Sequence, residues 1–326
     1  VLGDAADLAC TPLDRARPLW AARWLTGWDE TAARRGALVV VLHHVLVDGV
    51  GGLGVLAALA DPDDEADPPV PAPGARRAGA SAWLHGLLEL GIGIPRLASR
   101  TSLNRPTGPR RRLDVARVPL AAFRDGAHRH GGTVNDAMVA AVVGALTDLL
   151  ARRGEHPSRL VVSVPVTARQ AGDRRAGNDN GVLPVAVPTG VDRAGRVRHV
   201  STATERRKAR PRGRSALPLG ATFRALAALG WFRWFIEHQR LVHTFETNVR
   251  GPARRLRIAG HDVSAVLPVA VNPGNVGASF AVLSYAGELA VTVIRDPRVV
   301  PDDDDLVGLL TDQLHTFAQG LSAPAP

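Results

Sequence analysis

The fold is decided by the stretch Leu38-Val39-Val40-Val41-Leu42-His43-His44-Val45-Leu46-Val47-Asp48-Gly49, which runs through Val50-Gly51-Gly52 into an apolar segment ending at Leu59. Its opening is short and β-branched, which reads as a buried strand. Past the glycines, Leu53, Leu56 and Leu59 recur every three residues beside Val55, the spacing of one helix face. The stretch therefore predicts strand, loop and helix. Two histidines close the strand, and a carboxylate, Asp48, follows four residues after the second.

That order suits general-base chemistry. A neutral imidazole has a pKa near working pH, so it can take a proton from a hydroxyl or thiol. A carboxylate beside it can fix the ring or its loop. A lone histidine at such a place is usually a hydrogen-bonded core residue. The whole pattern HHxxxDG is another matter: its chance occurrence from this composition is on the order of a few in a thousand.

The surrounding chain sets limits. With 326 residues there is enough chain for two domain-sized lobes. Cys10 is the only cysteine, so an intramolecular disulfide and cysteine-rich zinc sites are excluded by count. A reducing, cytoplasmic setting is the expectation, and the first residues carry no secretory pattern. Net charge is +9, carried almost wholly by arginine, since Lys208 is the sole lysine. The arginines are scattered, aromatics are few and no nucleic-acid motif appears, so nucleic acid is not the expected partner. An anionic co-substrate or a membrane surface fits the charge better. Leu217 to Ile236 is broken by Arg224 and Arg233 and makes a poor membrane span.

Along the chain, Trp20 to Trp28 reads as a strand forming a hairpin with Leu38 to His43. Pro62 to Gly79 reads as linker. Trp83 to Leu97 is amphipathic, and Arg105 to Arg112 is a second, basic connector. A strand is expected at Leu113 to Val118 and a helix at Pro119 to His130. A longer helix follows from Thr133 to Arg153, capped by Thr133, with Asn135-Asp136 in its first turn. Strands follow at Leu160 to Val166 and Val182 to Val187, a basic helix at Arg193 to Arg210, and an aromatic-rich helix at Ala216 to Leu241, read as core ahead of a lipid-facing patch or a channel wall. His243 to Val249, Val263 to Val271, Ser279 to Tyr285 and Leu289 to Ile294 read as strands, with Ala286-Gly287 a hairpin turn. Asp302 to Asp305 caps a last helix, Leu306 to Leu321. Strands and helices mix without strict alternation, so the fold class is α/β, an α+β mixed-sheet sandwich.

Five motifs in order resemble the bacterial wax ester synthase/diacylglycerol acyltransferase family, within the CoA-dependent acyltransferase superfamily. Pro18-Leu19-Trp20 resembles its PLW motif, His43 to Gly49 its HHxxxDG, and Asn135-Asp136 its ND motif. Gly177-Asn178 resembles its GN loop, and Asn248 to Pro252 its NVPGP, with Arg250 in place of the first proline. The resemblance implies two acyltransferase-like lobes facing across a channel. Residues 1–60 would complete the first lobe, 61–112 the crossover linker and 113–326 the second lobe. Family members are expected to run longer at the N-terminus, so the chain is read as starting part-way through the first lobe. The resemblance implies that His44 is the base, that His43, Asp48 and Gly49 shape the loop, and that an arginine pairs with Asp48: Arg17, Arg23, or one that this chain lacks. Asn248 and Pro18, Leu19 and Trp20 would contact substrate. Asn135 and Asp136 would be structural. It implies acyl-CoA as co-substrate, a diacylglycerol or long-chain alcohol as acceptor, no metal or other cofactor, and peripheral contact with a membrane or lipid droplet. Two other readings share the motif: a condensation-type or polyketide-tailoring acyltransferase, and a non-catalytic lipid-binding protein.

Overall fold

A computed structural model of the chain describes residues 1–26, 36–44, 46, 49–62, 98–167, 180–208, 228–270, 272 and 274–319. The amphipathic stretch at Trp83 to Leu97, the Gly177-Asn178 loop, Asp48 and Phe223 lie outside them.

The largest element is a six-stranded mixed sheet. Its strands are β3 (Arg112–Pro119), β4 (Arg159–Thr167), β5 (Asn180–Pro188), β6 (Thr244–Arg250), β9 (Ala278–Tyr285) and β10 (Glu288–Arg295), in the order β3-β10-β9-β6-β4-β5. The central pairs β9–β6 and β6–β4 are parallel, and the outer pairs are antiparallel. Alternation along each strand puts two side-chain sets on opposite faces. One set, including Val162, Phe280, Val282, Val291 and Val293, packs beneath helices α3 (Leu120–Arg129), α4 (Val134–Arg152), α5 (Arg193–Lys208) and α7 (Leu306–Gln319).

Helix α4 is the centre of that layer, with Ala137 to Gly144 buried without interruption. It is long and apolar enough to cross a membrane by length and composition, but 72% of its most apolar window is inside the protein, so its apolar surface is spent on the core. Thr133 caps it as the sequence predicts. Where α3 crosses α7, Gly126 stands against the Phe317 carbonyl, and a side chain there would collide with it.

The opposite face of the sheet receives the N-terminal part of the chain. Helix α1 (Leu2–Cys10) places Ala5 and Ala6 against Leu113, Ala281 and Ile294, with Val39 beside them. The sequence reading left α1 out. The hairpin of β1 (Trp20–Thr26) and β2 (Gly36–Leu42) pairs Trp20 with Leu42 through Thr26 with Gly36. Helix α2 (Gly49–Leu59) follows.

Four expectations change. The run Leu38 to Leu42 is a strand, but it is half-exposed rather than buried. A two-stranded ribbon offers two faces, and α1 covers part of one. Ala216 to Leu241 is not one helix: the chain turns at Leu229-Gly230, with Gly230 at φ +73°, before α6 (Phe232–His238). Its described aromatics are not core, since Trp231 and Trp234 are exposed and Phe232 and Phe235 are half-buried. Val263 to Val271 forms no strand among its described residues. Pro268 lacks an N–H for a ladder, and the short hairpin β7 (Arg257–Ile258) with β8 (His261–Asp262) forms just ahead of it.

Candidate active site

The β1–β2 hairpin joins two motifs that are far apart in sequence. The His43 N–H donates to the Leu19 carbonyl at 3.0 Å, and Trp20 faces Leu42 in register. Pro18-Leu19-Trp20 therefore lies directly across from the end of β2, where the two histidines stand. His43 and His44 are both exposed. Their loop starts with a tight turn in which the Leu46 N–H donates to the His43 carbonyl at 2.8 Å. Gly49 then begins α2. Arg17, one of the two arginines considered for Asp48, lies 3.7 Å from Asp14.

The remaining motifs sit on the six-stranded sheet. Asp136 is buried and closes a reciprocal cap at the start of α4. Its carboxylate accepts from the Thr133 N–H at 2.9 Å and the Thr133 hydroxyl at 2.8 Å, and Thr204 of α5 donates to its other oxygen at 3.1 Å. Asp136 thus ties two helices together. Asn135, next to it, is half-buried. Asn248 lies near the end of β6, half-buried and paired with Val282 of β9. Arg250 keeps β6 in register to Ser284, and the Gly251 N–H donates to the Ser284 carbonyl at 2.9 Å. Among the described residues, two contacts bind these parts to the N-terminal segment. One is the α1 packing already described. The other is Asp61, just after α2, whose carboxylate accepts from the Ala259 and Gly260 N–H groups at 2.8 and 2.7 Å.

Two titratable groups near Asn248 escaped the sequence reading. Glu246 is wholly buried on the helix-covered face beside Phe280, and neither carboxylate oxygen has a hydrogen-bond partner. Loss of water pushes its pKa up to about 8. His243 is also wholly buried. Its Nδ1 accepts from the Val161 N–H at 2.9 Å, so the proton belongs on Nε2, 3.1 Å from the Ser99 carbonyl. Burial lowers its pKa to about 4; the Ser99 carbonyl opposes that shift and the charge of Arg159 adds to it. The sequence signal for Glu246 was a single acid inside the strand Phe245-Glu246-Thr247. Among the described residues no cluster of His, Cys, Asp or Glu is arranged to hold a metal ion.

A solved wax ester synthase/diacylglycerol acyltransferase from Marinobacter aquaeolei VT8 superposes with a TM-score of 0.70 at 23% identity, covering 98% of this chain and 75% of that one. The starter condensation domain of rhizomide synthetase shares the fold at a TM-score of 0.60 and 17% identity, over 94% of this chain and 70% of that one. In sequence, residues 2–96 match the wax ester synthase/diacylglycerol acyltransferase catalytic domain, and residues 176–317 match the C-terminal domain of the same family. The chain belongs to that family and is an acyl-CoA-dependent O-acyltransferase of its type. Two Mycobacterium tuberculosis relatives carry names that assign them, by inference, to the diacylglycerol O-acyltransferases. One is 28% identical over 97% of this chain and 75% of its own length. The other, tgs1, is 29% identical over 94% and 73%.

Proposed function

We propose that the chain transfers a fatty acyl group from acyl-CoA to a diacylglycerol or a long-chain alcohol, with His44 as the general base. The observation that carries this reading is the accessible His43-His44 pair at the end of β2, held opposite Leu19-Trp20 by the hairpin register. The imidazole of His44 takes the proton of the acceptor hydroxyl. The oxygen attacks the thioester carbonyl, the C–O bond forms and the C–S bond breaks. The CoA thiolate leaves and recovers the proton from the imidazolium. His43, Asp48 and Gly49 hold the loop, and Asn248 assists in placing substrate. In this reading residues 1–60 belong to the first lobe, 61–112 to the crossover and 113–326 to the second lobe.

The acceptor is a lipid, so the enzyme meets it at a membrane or droplet surface. Leu229, Trp231 and Trp234 support this, being 69%, 65% and 62% exposed beside Arg233. Tryptophan and arginine together suit a lipid interface. Replacing both tryptophans by serine is expected to reduce co-sedimentation with lipid vesicles while leaving turnover of a soluble acceptor in place.

The deciding experiment follows labelled palmitoyl-CoA into diacylglycerol and, separately, into hexadecanol, for the wild type and His44→Ala. Loss of a general base lowers the rate about 10²–10⁴-fold, with the circular dichroism spectrum unchanged. Full turnover by His44→Ala would remove His44 from the mechanism. The product ratio in the wild type names the acceptor.

A further inference from the structure

An open cavity of about 350 Å³ lies at the edge of the six-stranded sheet where β9 turns into β10. Arg117, Arg255, Ser264, Tyr285, Gly287 and Glu288 are among the residues that line it. The NVRGP turn is on the same edge. The Gly251 N–H donates to the Ser284 carbonyl, and the Ala286 N–H donates to the Pro252 carbonyl at 3.0 Å. One wall of the cavity is therefore continuous with the strand that carries Asn248.

The cavity is built rather than incidental. Tyr285 is 4% exposed, and its hydroxyl makes two hydrogen bonds. It accepts from the Leu256 N–H at 2.8 Å and donates to the Val263 carbonyl at 2.8 Å. The Val263 N–H donates in turn to the Leu256 carbonyl at 2.8 Å. Leu256 follows Arg255 and Val263 precedes Ser264, so one buried phenol sets the backbone from which both polar groups project. The opposite wall is fixed by the Leu120 N–H, which donates to the Gly287 carbonyl at 2.9 Å.

Charge singles out what fits there. Arg117 stands 3.3 Å from Glu288, both about half-exposed, so these two charges offset each other. Arg255 is exposed and has no acidic partner among the described residues, which leaves the cavity net positive. The segment around it, Arg250 to Arg257, has four arginines in eight residues and no acid. Of these, Arg257 is paired with Asp262 at 3.4 Å, and Arg254 also has an interaction of its own. An exposed arginine beside a hydroxyl is a donor set that recognises phosphate. Helix α2 starts at Gly49, beside the histidine loop, and its far end docks through Asp61 onto the β7–β8 hairpin that follows this segment. Eleven helical residues span roughly 16 Å, a distance of the order of an extended pantetheine arm.

We infer that this cradle binds the phosphate groups of the acyl-CoA donor, with Arg255 as the principal charge and the Ser264 hydroxyl as a neutral donor. The inference rests on acyl-CoA being the donor, and the test separates the two. Arg255→Ala is expected to raise KM for palmitoyl-CoA about tenfold, the worth of one charge-assisted hydrogen bond. It should leave kcat in place and leave KM unchanged for palmitoyl-pantetheine, which lacks the nucleotide phosphates. Arg255→Lys recovers much of the loss, and Arg124→Ala, an exposed arginine on α3, has no effect. A rise of equal size for both thioesters, or no rise for either, overturns the proposal.

Calorimetric titration with adenosine 3′,5′-bisphosphate, at fixed ionic strength, needs no turnover. Binding by the wild type that is lost in Arg255→Glu supports the cradle even if no acyl transfer is found, in which case it is the assigned reaction that fails. No binding by the wild type overturns the cradle whatever the activity. If Arg255→Glu abolishes association with phosphatidylglycerol vesicles but leaves nucleotide binding intact, the site belongs to lipid headgroups and the proposal is overturned.

Discussion

Glu246 and His243 stand three positions apart at the head of β6 and respond to pH in opposite senses. The folded-state pKa of Glu246 is raised from 4.5 to about 8. Its contribution to stability is therefore intact below pH 4.5 and is lost as pH rises towards 8. For His243 the folded-state pKa is lowered from 6.5 to about 4. Its contribution is intact above pH 6.5 and is lost as pH falls towards 4. Between pH 4.5 and 6.5 the two slopes cancel. Glu246→Gln, which stays neutral, is expected to match the wild type near pH 4.5 and to exceed it by roughly 3–5 kcal/mol near pH 8. His243→Gln should be less stable than the wild type at pH 7, with the gap narrowing as pH falls to 4. Denaturant midpoints measured across pH 4 to 8 check both. A Glu246→Gln curve parallel to that of the wild type would mean that the carboxyl is solvated.

At the scale of elements, the helical layer depends on two close fits. The α3–α7 crossing needs Gly126, because the Phe317 carbonyl occupies the space of a side chain. Gly126→Ala would be favourable for an isolated helix by propensity. Here it is expected to lower stability by about 1–3 kcal/mol through overpacking, read as a drop in melting temperature. The start of α4 depends on Asp136, which bonds to Thr133 and Thr204 together. Asp136→Ala removes a cap and a cross-helix link, a loss of about 1–3 kcal/mol. Hydrogen exchange should then speed up in the first turn of α4 and in the last turns of α5, around Thr204. Faster exchange in α4 alone would show that Thr204 contributes nothing.

For the whole molecule, the N-terminal segment is held to the sheet by a small apolar contact through α1 and by the Asp61 dock. Ala6 is 4% exposed in that contact. Ala6→Asp puts an unpaired charge there. It is expected to accelerate amide exchange across α1, β2 and α2 while β9 and β10 keep their protection. Equal loss of protection in both regions would show that the parts unfold as one unit. The proposed reaction needs both parts, since the histidines are on one and Asn248 and the arginine cradle are on the other. Acyl transfer should therefore fall in Ala6→Asp together with the exchange protection of α1.

Local rules account for what the sequence determined. The Thr133 cap, the strands β9 and β10, the Ala286-Gly287 turn and the strand–loop–helix order around His43 and His44 all follow from nearest neighbours along the chain. The ordered motifs from Pro18 to Pro252 carried the family. Tertiary structure decided the rest, because burial depends on what comes to lie against a segment. The apolar run Leu38 to Leu42 is half-exposed because α1 covers only part of one face of its ribbon, and Trp231 and Trp234 face outward because the chain turns at Gly230. Glu246 reads as an ordinary strand residue until the helices of the core close over it. Arg117, Arg255 and Ser264 become one cradle only because β3, the β9–β10 turn and the segment after the NVRGP turn meet at one edge of the sheet. Contacts between residues more than a hundred positions apart leave no periodicity for a sequence to display.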